Sequence, residues 1–165
     1  MASGAYANAL IVGAEALSKL TDFEDRNTCV LFGDGAGAFV LERSEKPGVE
    51  AITVKSDGDT TGHLKLEGYP LKKDFKTPET ARPFLKMNGR EIFRFATDVF
   101  PKIIHELLDA TEKTLEDLDL IVAHQANRRI IEKAAKTLGY PLSKMYTNIE
   151  SMGNTSAASI PLAVD

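Results

Sequence analysis

The feature that most constrains this chain is the short apolar run Leu118-Asp119-Leu120-Ile121-Val122-Ala123, which ends on His124 and passes straight into a basic amphipathic segment. A run of that length bounded by polar residues reads as a buried strand of a parallel sheet. Arg128 to Leu138 then reads as a helix, closed by Gly139 and Pro141 in the expected order. A longer helix precedes the run, so the order is βαβ and the class is α/β. Ligands in open α/β sheets gather outside the carboxyl ends of strands, which is where His124 stands. The helix N-terminus beside it carries unpaired N–H groups and partial positive charge, favouring a neutral imidazole and attracting anions.

The flanking chain supplies the other elements. Asn8 to Glu15 reads as a buried strand, Asp22 to Asn27 as a polar loop, and Thr28 to Phe32 and Gly35 to Glu42 as apolar segments. Between those two segments, Gly33-Asp34-Gly35-Ala36-Gly37 marks a place where backbone must approach a neighbour closely. Ala51 to Lys55 suggests a strand, and Asp57 to Pro83 a long functional loop. Asn88 with Glu91 has capping-box spacing. The helix behind it carries Ile92, Phe93, Phe95, Ala96, Val99, Phe100, Ile103, Ile104, Leu107 and Leu108 at helical intervals, with Pro101 expected to kink it. Tyr146 to Ile149 suggests a strand, and Thr155 to Val164 opens a final helix. The first strand and the last helix both read as cut short, with Met1 to Ala7 continuing something earlier.

Composition narrows the function. With 165 residues, 43% hydrophobic and 27% charged, the chain suits one soluble domain with a real core. No run reaches the ~18 apolar residues of a membrane span. The start lacks a signal pattern, and one cysteine fits a reducing cytoplasm. A net charge of −4 argues against nucleic-acid binding, although Arg128, Arg129, Lys133 and Lys136 cluster on one helix.

Asn154, in the tight run Gly153-Asn154-Thr155-Ser156-Ala157-Ala158-Ser159, lies thirty residues past His124, one helix and one strand away. Successive strand ends would bring both side chains to the same face. A turn asparagine beside glycine is common; the sharper alternative is an amide donor aimed at a developing oxyanion. Cys29 invites a Cys-His-Asn triad, but Thr-Cys-Val-Leu-Phe is an environment that buries a thiol rather than activating it. The glycines at 33 to 37 lack dinucleotide-fold spacing, Asp57-Gly58-Asp59 lacks the twelfth-position Glu of a calcium loop, and His63, His105 and His124 lack metal-ligand spacing. The basic cluster reads either as a solvated face or as a seat for phosphate or an acidic protein.

The motifs His124-Gln125-Ala126-Asn127-x-Arg129-Ile130-Ile131 and Gly153-Asn154-Thr155-Ser156-Ala157-Ala158-Ser159-Ile160-Pro161 closely resemble β-ketoacyl-acyl-carrier-protein synthase III, the initiating condensing enzyme of bacterial fatty acid synthesis. Ser3-Gly4-Ala5-Tyr6, Gly13-Ala14-Glu15, Phe32 to Ala38 and Met87-Asn88-Gly89 add to the likeness, which covers essentially the whole chain. The resemblance implies a thiolase-like fold of two similar α/β halves. Residues 1–45 would end the first half, and 46–165 would form most of the second, stopping before its last strands. The family's nucleophilic cysteine would lie ahead of Met1, with Cys29 only near the channel, so the isolated chain should lack condensing activity.

Acyl-CoA, as acetyl-CoA, and malonyl-acyl carrier protein are the implied substrates, with no separate cofactor or metal, and the implied setting is a cytoplasmic homodimer. His124 and Asn154 match the pair that stabilises the malonyl thioester oxygen during decarboxylation, at roughly 3 kcal/mol per donor. A neutral histidine suits that step, because imidazolium would pair with the departing carboxylate. By the same matching, Arg26, Leu31, Gly89, Phe93, Ala126, Asn127 and Ile130 would line the CoA channel, with Met87 at the acyl pocket. Arg94, Arg129 and Lys136 would face the carrier protein, where Thr137 replaces a family lysine. A polyketide-type condensing enzyme shares this logic, and a non-catalytic carrier-binding piece would share only the basic helix.

Overall fold

The computed structural model describes residues 4–46, 48–58, 60–66 and 84–165. Its first element, β1 (Asn8–Glu15), pairs antiparallel with β2 (Gly35–Glu42) in a register running from Asn8 opposite Glu42 to Glu15 opposite Gly35. Side chains alternate across such a ribbon. Its odd-numbered positions turn toward the segment Ser156 to Val164, and the even-numbered ones stand bare. Leu10 is 67% exposed, Val12 59% and Val40 76%. The expected buried strand is therefore a strand with only one covered face, since the described residues lay nothing over the other.

Glycine permits that covered face to close. A Cβ built on Gly13 would lie 2.5 Å from the Ala157 carbonyl oxygen, one on Gly37 would lie 2.8 Å from Pro161 Cβ, and one on Gly33 would overlap the Met152 carbonyl oxygen. The close approach expected at residues 33 to 37 is thus between the ribbon and the 152–162 segment.

The second ribbon, β3 (Leu64–Leu66) with β4 (Leu85–Met87), corrects the reading of 57–83 as wholly loop. Three alternating residues are too few to show a period. Residues 67–83 lie outside the described part.

The long helix α1 (Gly89–Ala110) starts where expected, with Asn88 Oδ1 accepting the Glu91 N–H at 3.4 Å. Glu91 turns to Arg94 at 2.6 Å instead of completing the box. A reciprocal box forms at Thr114, whose N–H and hydroxyl both donate to Asp117 Oδ2, at 2.8 and 2.9 Å. Pro101 is buried inside α1, which continues through it. α2 (Arg128–Leu138) matches its expected bounds and closes on Gly139 in the left-handed region. α2 packs on α1 around Ile121, Ile131, Ala134, Leu138, Tyr140 and Met145, with Phe100 and Ile104 against them.

Three expected strands resolve differently. Leu118 to His124 makes a single parallel bridge, Ile121 with Met145, rather than a ladder. Tyr146 to Ile149 is irregular and leads into α3 (Ile149–Met152). The reason is Gln125, fully buried, whose Nε2 donates to the carbonyls of Ala123 and Tyr146 at 3.0 and 3.1 Å. A side-chain amide thus occupies the gap that strand pairing would fill. Ala51 to Lys55 forms no strand; Thr53 and Lys55 reach across to Glu106 on α1. The closing helix is also interrupted: Ser156 takes a φ of 49°, Ser156–Ala158 makes one tight turn, and α4 (Ser159–Val164) follows. Cys29, expected in the core, is half-buried in a turn.

Gly33→Ala should lower stability by about 1–3 kcal/mol, the cost of overpacking a filled contact. Gly48→Ala, with nothing within 4 Å, should change it little. Urea midpoints of the two variants check the contrast.

Candidate active site

His124 is fixed by its Nδ1 edge. Ser159, buried at the start of α4, places Oγ 2.6 Å from His124 Nδ1, and the same oxygen receives the Gln125 backbone N–H at 3.4 Å. The Ser159 hydroxyl also reaches the Ser156 carbonyl at 2.8 Å. The rest of the imidazole stays open to the groove it lines. Packing around the ring pushes its pKa below the ordinary 6.5, and the Ser156 backbone opposes that shift. The neutral form is therefore favoured, as the sequence reading required.

Asn154 is held more tightly. Gly153 takes φ 70° and ψ −166°, a combination reserved for glycine, and its N–H donates to Ile149 at 2.8 Å. That turn sets Asn154 beside the Leu31 to Gly33 segment. Its N–H donates to Leu31 at 2.8 Å, and its carbonyl accepts from Gly33 at 2.9 Å. Asn154 Oδ1 accepts the Ser156 N–H at 3.0 Å. The amide orientation follows, because only the oxygen can accept, so Nδ2 is left with its donors uncommitted to that contact.

Both side chains line one groove of about 1010 Å³. Of the residues expected along a CoA channel, Leu31, Gly89, Phe93, Ala126, Asn127 and Ile130 line it, as does Met87, expected at the acyl pocket. Arg26 is exposed and outside the lining, where its neighbour Asn27 appears instead. Asn127 also caps α2, with Oδ1 accepting the Arg129 N–H at 2.9 Å. Arg129 is on the groove wall, whereas Arg94 lines a neighbouring cavity and Lys136 is exposed farther along α2. Arg128 is engaged by Glu132 at 2.9 Å and by Glu150.

Sequence reasoning missed Gln125 and Ser159. A polar residue directly after His124, between an apolar run and a helix, was the signal for Gln125; nothing in the small-residue run singled out Ser159.

A histidine and a glycine-turned asparagine thus line one groove of a thiolase-like α/β fold. Two family descriptions match: 3-oxoacyl-[acyl-carrier-protein] synthase III over residues 1–58 and its C-terminal counterpart over residues 108–165. The chain belongs to the 3-oxoacyl-[acyl-carrier-protein] synthase III family. The β-ketoacyl-[acyl-carrier-protein] synthase III of Clostridium perfringens is 50% identical over 164 residues, 98% of this chain and 51% of that protein. The Neisseria gonorrhoeae synthase III is 46% identical over 163 residues, 99% of this chain and 50% of that one. The solved synthase III of Aquifex aeolicus superposes with a TM-score of 0.87 at 39% identity, covering 99% of this chain and 49% of that structure. The priming β-ketosynthase of the R1128 polyketide pathway gives 0.87 at 36%, with 99% and 49% covered. This chain spans about half the length of the curated relatives it matches.

His124 also carries a stability consequence. The unfolded chain takes up a proton near pH 6.5 and the folded chain only at lower pH, so stability should fall as pH drops from 7.5 to 5.5. Thermal unfolding should show this loss in the native chain, and His124→Gln should remove that share of it.

Proposed function

We propose that these residues carry the decarboxylation half of a β-ketoacyl-acyl-carrier-protein synthase III, which condenses acyl-CoA, as acetyl-CoA, with malonyl-acyl carrier protein. One observation supports this above the others: Asn154 spends its oxygen on the Ser156 N–H, so its amide donors serve the groove that His124 also lines. As the malonyl thioester loses CO₂, negative charge grows on its carbonyl oxygen. Donors placed beforehand at that oxygen stabilise the transition state more than the ground state. Acyl transfer needs a thiol, and Cys29 is not among the groove's lining residues. The nucleophile of this proposal therefore belongs to protein outside these residues.

The CoA portion of the substrate would enter past Leu31, Phe93 and Ile130, whose apolar surfaces suit a pantetheine arm. Cytoplasmic location, a homodimeric whole and the absence of a separate cofactor belong to the same proposal. Among the described residues, no helix is long and apolar enough to cross a membrane.

In the protein that carries this chain, His124→Ala and Asn154→Ala should each slow CO₂ release from malonyl-acyl carrier protein by ~10²–10³-fold. Undiminished release from both variants would remove the proposed roles. The likeness to the priming polyketide ketosynthase favours a second reading, a polyketide-type starter reaction, and product analysis separates the two.

Carrier-protein docking would centre on Arg129, which sits on the groove wall and, unlike Arg128, has no ion pair among the described residues. Arg129→Glu should weaken carrier-protein binding about tenfold or more, with the largest effect at low salt. Titration at two ionic strengths checks it.

A further inference from the structure

We infer that Arg90 is a substrate-binding residue: with Arg129 it holds the phosphate of the phosphopantetheine arm that CoA and acyl carrier protein share. Among the described residues lining the groove, these two arginines carry the formal charge, and no Asp or Glu stands with them. The adjoining cavity is the opposite case. Asp57, Glu91 and Asp98 line it beside Arg94, and Arg94 is spent on Glu91 at 2.6 Å. A cleft lined by charge of one sign concentrates ions of the other, so an anion is drawn to the groove and not to its neighbour.

The two arginines reach the groove in the same way. Each is the second residue of its helix, Arg90 in α1 and Arg129 in α2, and each helix is capped by an asparagine. The helix ends themselves are already served, since Asn88 Oδ1 takes the Glu91 N–H at 3.4 Å and Asn127 Oδ1 the Arg129 N–H at 2.9 Å. What remains uncommitted is side-chain charge. Neither Arg90 nor Arg129 has an ion pair among the described residues, whereas Arg94 and Arg128 are both paired. A guanidinium offers five donors in a planar fork that matches phosphate oxygens.

This inference rests on reading the groove as a condensing site and adds what grips the far end of the arm. A malonyl thioester brings both a carboxylate and the arm's phosphate. Pairing an arginine with the carboxylate would stabilise the ground state that decarboxylation must leave. The phosphate takes no part in bond breaking, so a grip on it strengthens binding without that cost. Position agrees: Arg90 and Arg129 are exposed, at the solvent edge of the groove, while Phe93 and Ile130 of the same helices are more buried along its wall. An apolar wall ending in two cations fits an uncharged arm ending in an anion.

The test titrates the protein that carries this chain with 4′-phosphopantetheine and with pantetheine, which differ only in the phosphate. The native protein should bind the phosphorylated arm tighter by about tenfold or more. Arg90→Gln should cut that preference by about fivefold or more while keeping its affinity for pantetheine. Its circular dichroism should match the native protein, because Arg90 is exposed. Lys102→Gln removes the same charge from α1, at a residue paired with Asp98, and should leave the preference intact. Equal binding of both arms by the native protein would overturn the inference, as would a preference that survives Arg90→Gln or falls as far in Lys102→Gln. Malonyl-pantetheine tests the rival anion: if Arg90→Gln weakens it while sparing pantetheine, the arginine holds the carboxylate and the phosphate assignment falls. In turnover, Arg90→Gln should raise KM for acetyl-CoA and for malonyl-acyl carrier protein with kcat little changed, and a rise for one alone would refute a grip on the shared phosphate. Arm binding does not depend on CO₂ release, so this inference and the proposed function can fail separately.

Discussion

The buried amide of Gln125 is the interaction on which the rest of this structure depends. It joins Ala123, Tyr146 and, through the 3.4 Å bond from the Asn148 N–H to Oε1, the approach to α3. A fully buried amide that lost these partners would leave several polar groups unsatisfied at about 1–3 kcal/mol each. The same residue lends its backbone N–H to Ser159. One side chain therefore sets the spacing between the two segments, and one backbone group sets the serine behind the imidazole. His124 is placed by its neighbour in sequence as much as by any strand.

That dependence explains which parts of the fold could be read in advance. Helices α1 and α2 announce themselves through periodicity and caps, Asn88 and Asn127 before them and Gly139 after. Their information is local. Strands ask for a partner, and the apolar runs at 118–124 and 146–149 could not say that a glutamine side chain would stand between them. The β3–β4 ribbon failed for a different reason, since Leu64 to Leu66 is too brief to display alternation. The convergence of His124 and Asn154 on one groove was legible because each follows directly on a recognisable motif. Ser159 was not, because its contacts with His124 and Gln125 join residues far apart in sequence, and the local bond to Ser156 gives no sign of them.

Charge is distributed with similar economy. Arg128 and Arg129 are adjacent in sequence at the start of α2, yet Arg128 is tied to Glu132 and Glu150 while Arg129 opens on the groove. A cluster that looks uniform in sequence thus divides into a pair that braces α2 against α3 and a cation facing the cavity mouth. Long-range attraction of an acidic partner would be felt by both, but only Arg129 is placed to make contact at the groove.

The glycine seam between the β1–β2 ribbon and the 152–162 segment has a consequence for recombination. Gly13, Gly33 and Gly37 meet Ala157, Met152 and Pro161 with no room for even one added carbon. The two surfaces are matched like a key and its lock, although more than a hundred residues separate them along the chain. A chimaera that took the ribbon from one synthase and the asparagine turn from a distant relative would have to inherit both sides of that seam from a single parent. Shuffling that respects helix boundaries but divides the seam would disturb the turn bearing Asn154, and with it the groove that Asn154 and His124 line.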